Sequence, residues 1–149
     1  MLKWLYRTAD YFRHKAQVRQ GPLDHAMGCR GEDLAQRWLQ RHGMVVVARN
    51  YSPPGGTSEA DLIAWDRDVL AVIEVKTRLT TDYGPPDRNV DKEKHRKVMS
   101  AGEHYARRAD IPLESIRFDI VSVLILGKAV KIEHSKAAFR HGRARAAAG

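Results

Sequence analysis

An α/β sandwich around a mixed sheet is the fold class this sequence predicts, and three observations predict it. Segments 28–42 and 91–108 carry apolar residues at helical spacing. Five short apolar runs, several rich in valine and isoleucine, read as strands. Their order along the chain is helix, three strands, helix, two strands (α-β-β-β-α-β-β), which sets helices against the faces of a central sheet.

Residues 1–27 precede that domain as a basic, amphipathic leader. Leu2, Leu5, Ala9, Phe12 and Ala16 fall on one helical stripe, widened by Trp4, Tyr6 and Tyr11 and ending near Gly21-Pro22. Docking on the domain is its expected use, ahead of a membrane surface or a partner. The domain proper spans 28–135. Its first helix, 28–42, presents Leu34, Ala35, Trp38 and Leu39 and stops at Gly43. A strand follows at 44–48, then a turn rich in proline and glycine at 52–58. Segments 59–65 and 69–76 form a hairpin around Asp66-Arg67-Asp68. Residues 80–90 are a polar loop holding Gly84-Pro85-Pro86. The second helix, 91–108, turns Val98, Ala101 and Tyr105 inward. The run 117–126 is apolar enough for a strand covered on both faces. Gly127 then leads into a last strand at 129–134. The tail, 136–149, is basic, rich in alanine and expected to be disordered.

A chain of 149 residues suits one such domain with a core of its own. Its single cysteine, Cys29, excludes an internal disulfide and suits a reducing cytoplasm. No run approaches the roughly 20 apolar residues of a membrane helix, and charges interrupt the first residues too often for a secretion signal. The net charge of +8 sits mostly at the ends: residues 1–27 carry +3, residues 136–149 carry +4, and the domain between them only +1. Basic arms bind nucleic acid through its phosphates; the plainer alternative is solubility.

Chemistry is written most densely at Glu74-Val75-Lys76, which closes the apolar run 69–73 and lies 13 residues after Asp61. An acid-x-Lys triplet alone says little, since chance places about one in a chain of this composition. Position says more. Side chains alternate along a strand, so Glu74 and Lys76 share a face, as Glu59 and Asp61 do on the strand before. A short hairpin makes the two strands neighbours and lets Asp61 and Glu74 converge at its open end. Two carboxylates and the Val75 carbonyl form a partial shell for a hard cation such as Mg²⁺ or Mn²⁺. Lys76 beside them could orient or deprotonate a water, or stabilise charge on a phosphate. The ordinary alternative is a surface salt bridge from Glu74 to Lys76 or Arg78. Other chemistries lack support. The seven histidines and Cys29 have no zinc spacing, His95 and His104 are too far apart on their helix to share an ion, and no phosphate-cradling glycine loop is present.

The same residues, in order, carry a resemblance. They are Gly28-x-x-Gly31-Glu32-x-x-Ala35, Arg49-Asn50-Tyr51, Glu59-Ala60-Asp61-Leu62-Ile63 and Ile73-Glu74-Val75-Lys76-Thr77-Arg78. Tyr83-Gly84-x-Pro86, Val90 with Lys94, and Arg117-Phe118-Asp119-Ile120-Val121 complete the set. Together they resemble the bacterial YraN-like family, described as Holliday-junction-resolvase-like, within the PD-(D/E)XK nuclease superfamily. The likeness covers about residues 28–125. The chain departs from the pattern at Ser58-Glu59-Ala60-Asp61, where the family usually has Gly-Glu-Ile-Asp, and at Pro53-Pro54 in the turn before it.

The resemblance implies a restriction-endonuclease-like core and a Mg²⁺- or Mn²⁺-dependent endonuclease acting on DNA, with branched DNA as its substrate. It implies catalytic roles for Lys76, Glu74, Asp61 and Glu32. The metal ligands would be Asp61, Glu74 and the Val75 carbonyl, joined by Glu32 through a water or a second ion and, less directly, by Glu59. Thr77, Arg78 and Lys94 would meet the DNA backbone. Gly28 and Gly31 would let the first helix approach the sheet, and Asp119 would tie strand to helix. A homodimer suits the two symmetric cuts of a junction. The rival expectation is a nucleic-acid-binding module that keeps the fold without turnover.

Overall fold

The computed structural model describes residues 23–79 and 88–140, with side chains placed over 28–79 and 92–140. The leader stripe of Leu2 to Ala16, the loop around Gly84-Pro85-Pro86 and the tail from 141 lie outside the described residues. The chain runs α1 (Leu23–Arg41), β1 (Val45–Tyr51), β2 (Ala60–Asp66), β3 (Val69–Arg78), α2 (Arg88–Arg108), a 3₁₀ turn (Leu113–Ser115), β4 (Ile116–Leu126) and β5 (Ala129–Ser135). This is the expected α/β order. The strands form one open sheet, β1-β2-β3-β4-β5. All neighbours are antiparallel except β3 and β4, which are parallel. A parallel pair needs a crossover, and α2 supplies it. No helix among the described residues is long and apolar enough to cross a membrane.

Each helix covers one face of the sheet. Under α1 lie Leu62, Ala64, Ala71, Ile73, Val121 and Val123, packed with Ala35 and Leu39. Under α2 lie Val47, Tyr51, Ile63 and Val72, packed with Val98, Ala101 and Tyr105, the three residues expected to point inward. The helix stops are built from left-handed residues. Gly43 takes φ 83°, and the Met44 N–H donates to the Leu39 carbonyl at 3.0 Å, the six-to-one bond that ends a helix. Asp110, at φ 55°, does the same for α2 through Ile111 N–H to the Ala106 carbonyl at 2.8 Å.

Three expectations change. The first helix starts at Leu23 rather than at 28. The strand β4 is not covered on both faces. Val121, Val123 and Ile125 are buried, but Ile120, Ser122 and Leu124, which alternate with them, are half-buried, because the cluster under α2 takes in β4 only at its start, through Ile116 and Phe118. Asp119 ties strand to strand and to the chain after β5, not strand to helix. It is fully buried and takes Arg117 through both oxygens at 2.7 and 2.8 Å, His134 at 2.8 Å and the Ala137 N–H at 2.9 Å. Arg117 also reaches Asp66 at 2.9 Å, and Lys136 closes on the same carboxylate at 2.8 Å. The start of the basic tail is therefore held: Ala138 N–H donates to the Phe118 carbonyl, and Phe139 stacks on Phe118 and His95.

The helix α2 approaches the sheet closely at Gly102. A Cβ there would meet Val72 Cγ2 at 2.6 Å and Cγ1 at 2.8 Å. Val72 is fully buried and β-branched, so it has little room to retreat. Gly102→Ala is expected to lower unfolding free energy by about 1–3 kcal/mol despite the better helix propensity of alanine. Urea denaturation checks this, and Val72→Ala in the same chain should recover part of the loss.

Candidate metal and phosphate site

The site forms where the regular ladder of β2 and β3 gives out. Pairing runs from Asp66↔Val69 to Leu62↔Ile73 and goes no further. One step beyond, Asp61 turns its carboxylate onto the freed backbone, and the Val75 N–H donates to its Oδ2 at 2.7 Å. Strand alternation also breaks here. Ala60 packs on the α2 side and Leu62 on the α1 side, so the chain departs from strict alternation at Asp61. On β1 the matching position is Asn50, bracketed by Arg49↔Leu62 and Tyr51↔Ala60. Its φ of 50° bends β1 at the same level.

The helix α1 crosses above this break. A Cβ added at Gly31 would collide with the Thr77 side chain, which shows that this glycine lets α1 approach β3 as expected. Gly28 has nothing within 4 Å of such a Cβ; it borders the open cleft instead of a close contact. Glu32, 7% exposed, is steered into that cleft from behind. Asn50 Nδ2 donates to its Oε2 at 3.1 Å and Arg49 at 3.3 Å, while Arg49 also pairs with Asp33.

The resulting cleft, of about 490 Å³, is lined by Gly28, Glu32, Asp61, Val75, Thr77, Leu79 and Lys94. Burial pushes the Asp61 carboxyl up to about 6; the Val75 N–H and Lys94 pull it down, and the negative charges of Glu32 and Glu59 push it up further. Glu74 lies next to the cleft on the α2 face of β3, one register step from Asp61, and is fully buried. Lys94 Nζ stands 3.2 Å from its Oε1 and His95 Nε2 stands 3.3 Å from its Oε2. These contacts pair charge without hydrogen-bond alignment: both carboxylate oxygens are buried and make no hydrogen bond.

Of the residues expected from sequence, Asp61, Glu32, Val75, Thr77 and Lys94 meet on one cleft wall. Glu74, Lys76, Glu59 and Arg78 do not line it. Glu74 joins it through Lys94, and Glu59 makes itself felt through its charge on Asp61. Lys76 is half-buried on the Glu74 face of β3, and Arg78 is exposed at the strand end. Among the described residues no three His, Cys, Asp or Glu side chains are drawn together as a ready metal shell. The donors that are present suit a hard cation, being carboxylate oxygens, two of them buried without hydrogen bonds.

Sequence reasoning missed two supports. Spacing tests His95 only as a zinc ligand, whereas its ring flanks Glu74 and stacks on Phe139 at 4.1 Å. Arg49 and Asn50 were noted as part of a pattern, with no hint that they hold Glu32. The one available signal is the pair of adjacent acids Glu32-Asp33 on the helix before a strand that carries Arg49.

The profile of the uncharacterised protein family UPF0102 matches residues 31–123, the segment that carries this cleft. A UPF0102 protein of Solibacter usitatus (strain Ellin6076) is 49% identical over 139 residues, covering 93% of this chain and all of the relative. One from Koribacter versatilis (strain Ellin345) is 39% identical over 112 residues, covering 75% of this chain and 78% of the relative. One from Dictyoglomus thermophilum (strain ATCC 35947 / DSM 3960 / H-6-12) is 40% identical over 106 residues, covering 71% and 87%. Through a profile that spans more than half of it, and through relatives matched over most of their own length, the chain belongs to family UPF0102.

Proposed function

We propose that this protein is a divalent-metal-dependent DNA endonuclease of the PD-(D/E)XK, restriction-endonuclease-like type, the superfamily that its YraN-like motifs resemble. The observation that carries the reading is Glu74, a buried carboxylate whose two oxygens lack hydrogen bonds, beside a cleft that holds Asp61 and Glu32. Native proteins rarely leave such a group unsatisfied, and a bound cation is one of the few ways to satisfy it. Asp61 and Glu74 would hold the ion, with the Val75 carbonyl, Glu32 and Glu59 as further oxygen donors. When bound, Mg²⁺ or Mn²⁺ supplies positive charge at the phosphate to be cleaved. The protein's own groups do the rest. Lys76 orients the attacking water and offsets the charge that builds on the phosphate. Thr77, on the cleft wall, and Arg78, at its end, hold the phosphate. Branched DNA as substrate, a homodimer and a cytoplasmic setting complete the reading; they rest on the resemblance and on the single cysteine.

The second reading is a nucleic-acid-binding module without turnover. It is favoured by the position of Lys94, whose ammonium already sits against Glu74. Cleavage of a labelled four-way junction and of a plain duplex, with Mg²⁺ or Mn²⁺, separates the two. The nuclease reading expects metal-dependent cutting that falls by roughly 10²-fold or more in Lys76→Ala. Binding without cutting, the same in Lys76→Ala and Asp61→Asn as in the unaltered protein, supports the module.

A further inference from the structure

Lys94 has a position that a DNA-contacting lysine does not need. Its side chain is half in solvent, 51% exposed, yet its ammonium reaches 3.2 Å from an oxygen of the fully buried Glu74. The same residue lines the cleft of Asp61 and Glu32, and its charge pulls the Asp61 carboxyl down. One flexible, partly solvated cation thus serves both carboxylates assigned to the metal. A buried carboxylate without a counter-charge is costly, and an ammonium is the protein's nearest substitute for a divalent ion.

We propose that Lys94 is an internal stand-in cation: its ammonium holds Glu74 in the metal-free protein and is displaced when a divalent cation enters. The proposal rests on the metal-site reading above. Its exposed stem lets Lys94 leave without unfolding α2. Once displaced, the ammonium lies at the rim of the same cleft, where a phosphate approaching Thr77 would meet it. Metal entry and phosphate capture are then coupled through one side chain, and the lysine discourages metal binding in the absence of a second anion.

Mn²⁺ titration by calorimetry tests this with the whole chain and no substrate. Lys94→Gln is expected to bind Mn²⁺ at least about fivefold more tightly than the unaltered protein, a coupling of ordinary size. Lys94→Arg, which keeps the charge, should stay near the unaltered value, as should Lys97→Gln, whose lysine is exposed and pairs with Glu93. A second measurement needs no substitution. With ¹³C-labelled lysine, the Lys94 ε-carbon signal should move to the position of the solvent-exposed lysines as Mg²⁺ saturates. Unchanged or weaker Mn²⁺ binding in Lys94→Gln, or an unmoved Lys94 signal at saturation, overturns the stand-in role and leaves the metal site standing, provided Asp61→Asn abolishes binding. No Mn²⁺ binding by any of these proteins overturns the metal site and the stand-in role together.

Discussion

Asp61→Asn is expected to raise the melting temperature at pH 7.5 in the absence of metal. Burial holds the Asp61 carboxyl at about 6 against an ordinary value of 3.8. A folded value above the unfolded one means that the folded state resists ionisation. The cost begins as pH rises past the unfolded value and is complete above the folded one. It approaches about 3 kcal/mol at neutral pH. Asparagine keeps an oxygen for the Val75 N–H and removes the charge, so it should recover roughly 1–3 kcal/mol, at about 2–4 °C per kcal/mol for a chain of this size. At pH 4 the two proteins should melt alike. Saturating Mn²⁺ should reverse the order, because only the unaltered protein gains binding energy, about 2.7 kcal/mol when the ion stands at a hundred times its dissociation constant. Differential scanning calorimetry at both pH values, with and without Mn²⁺, reads all of this. A variant less stable than the unaltered protein at pH 7.5 without metal would mean that Asp61 is a structural anchor and not a strained ligand.

The opposite sign is expected one strand away, at Asp119, which pairs with Ile73 on the neighbouring strand. Asp119→Ala should lower unfolding free energy by roughly 3–5 kcal/mol at pH 7, since it strips the counter-charge from Arg117, removes the hydrogen-bond partner of His134 and frees the chain at Ala137. Burial alone would raise the Asp119 carboxyl. The hydrogen bonds from His134, Arg117 and the Ala137 N–H outweigh it and hold the group at about 2. A folded value below the unfolded 3.8 gives stability that is present above pH 4 and drains as pH falls toward 2. Urea midpoints across that range should converge for the two proteins. A gap that stays constant with pH would show that Asp119 matters for shape and not for charge.

These two carboxylates illustrate what the sequence made legible. The period-two and period-3.6 patterns placed every strand and both helices, because burial on one face is what those patterns record. Val98, Ala101 and Tyr105 face inward for that reason. The α1 start escaped because residues 23–27 have no strong apolar stripe and Gly28 looked like a boundary. The open face of β4 escaped because an apolar run does not say how far a helix reaches. At the site, Asp61, Glu32, Val75, Thr77 and Lys94 line one cleft; strand geometry points to Asp61 and Val75, and only the resemblance points to Glu32, Thr77 and Lys94. Strict alternation does not foretell how Asp61 sits relative to Glu74, because β2 departs from it between Ala60 and Leu62. Lys94 was legible as a charge but not as a partner of Glu74, since the contact joins α2 to β3 through the fold and not through any local pattern.

The most direct test of the central claim is anomalous diffraction from crystals of the protein grown or soaked with Mn²⁺. The account predicts one strong peak at the open end of the β2–β3 hairpin, ligated by Asp61 and Glu74, with Lys94 withdrawn from Glu74. A Glu74 carboxylate still capped by Lys94, with manganese absent from that place or bound elsewhere on the surface, would contradict it.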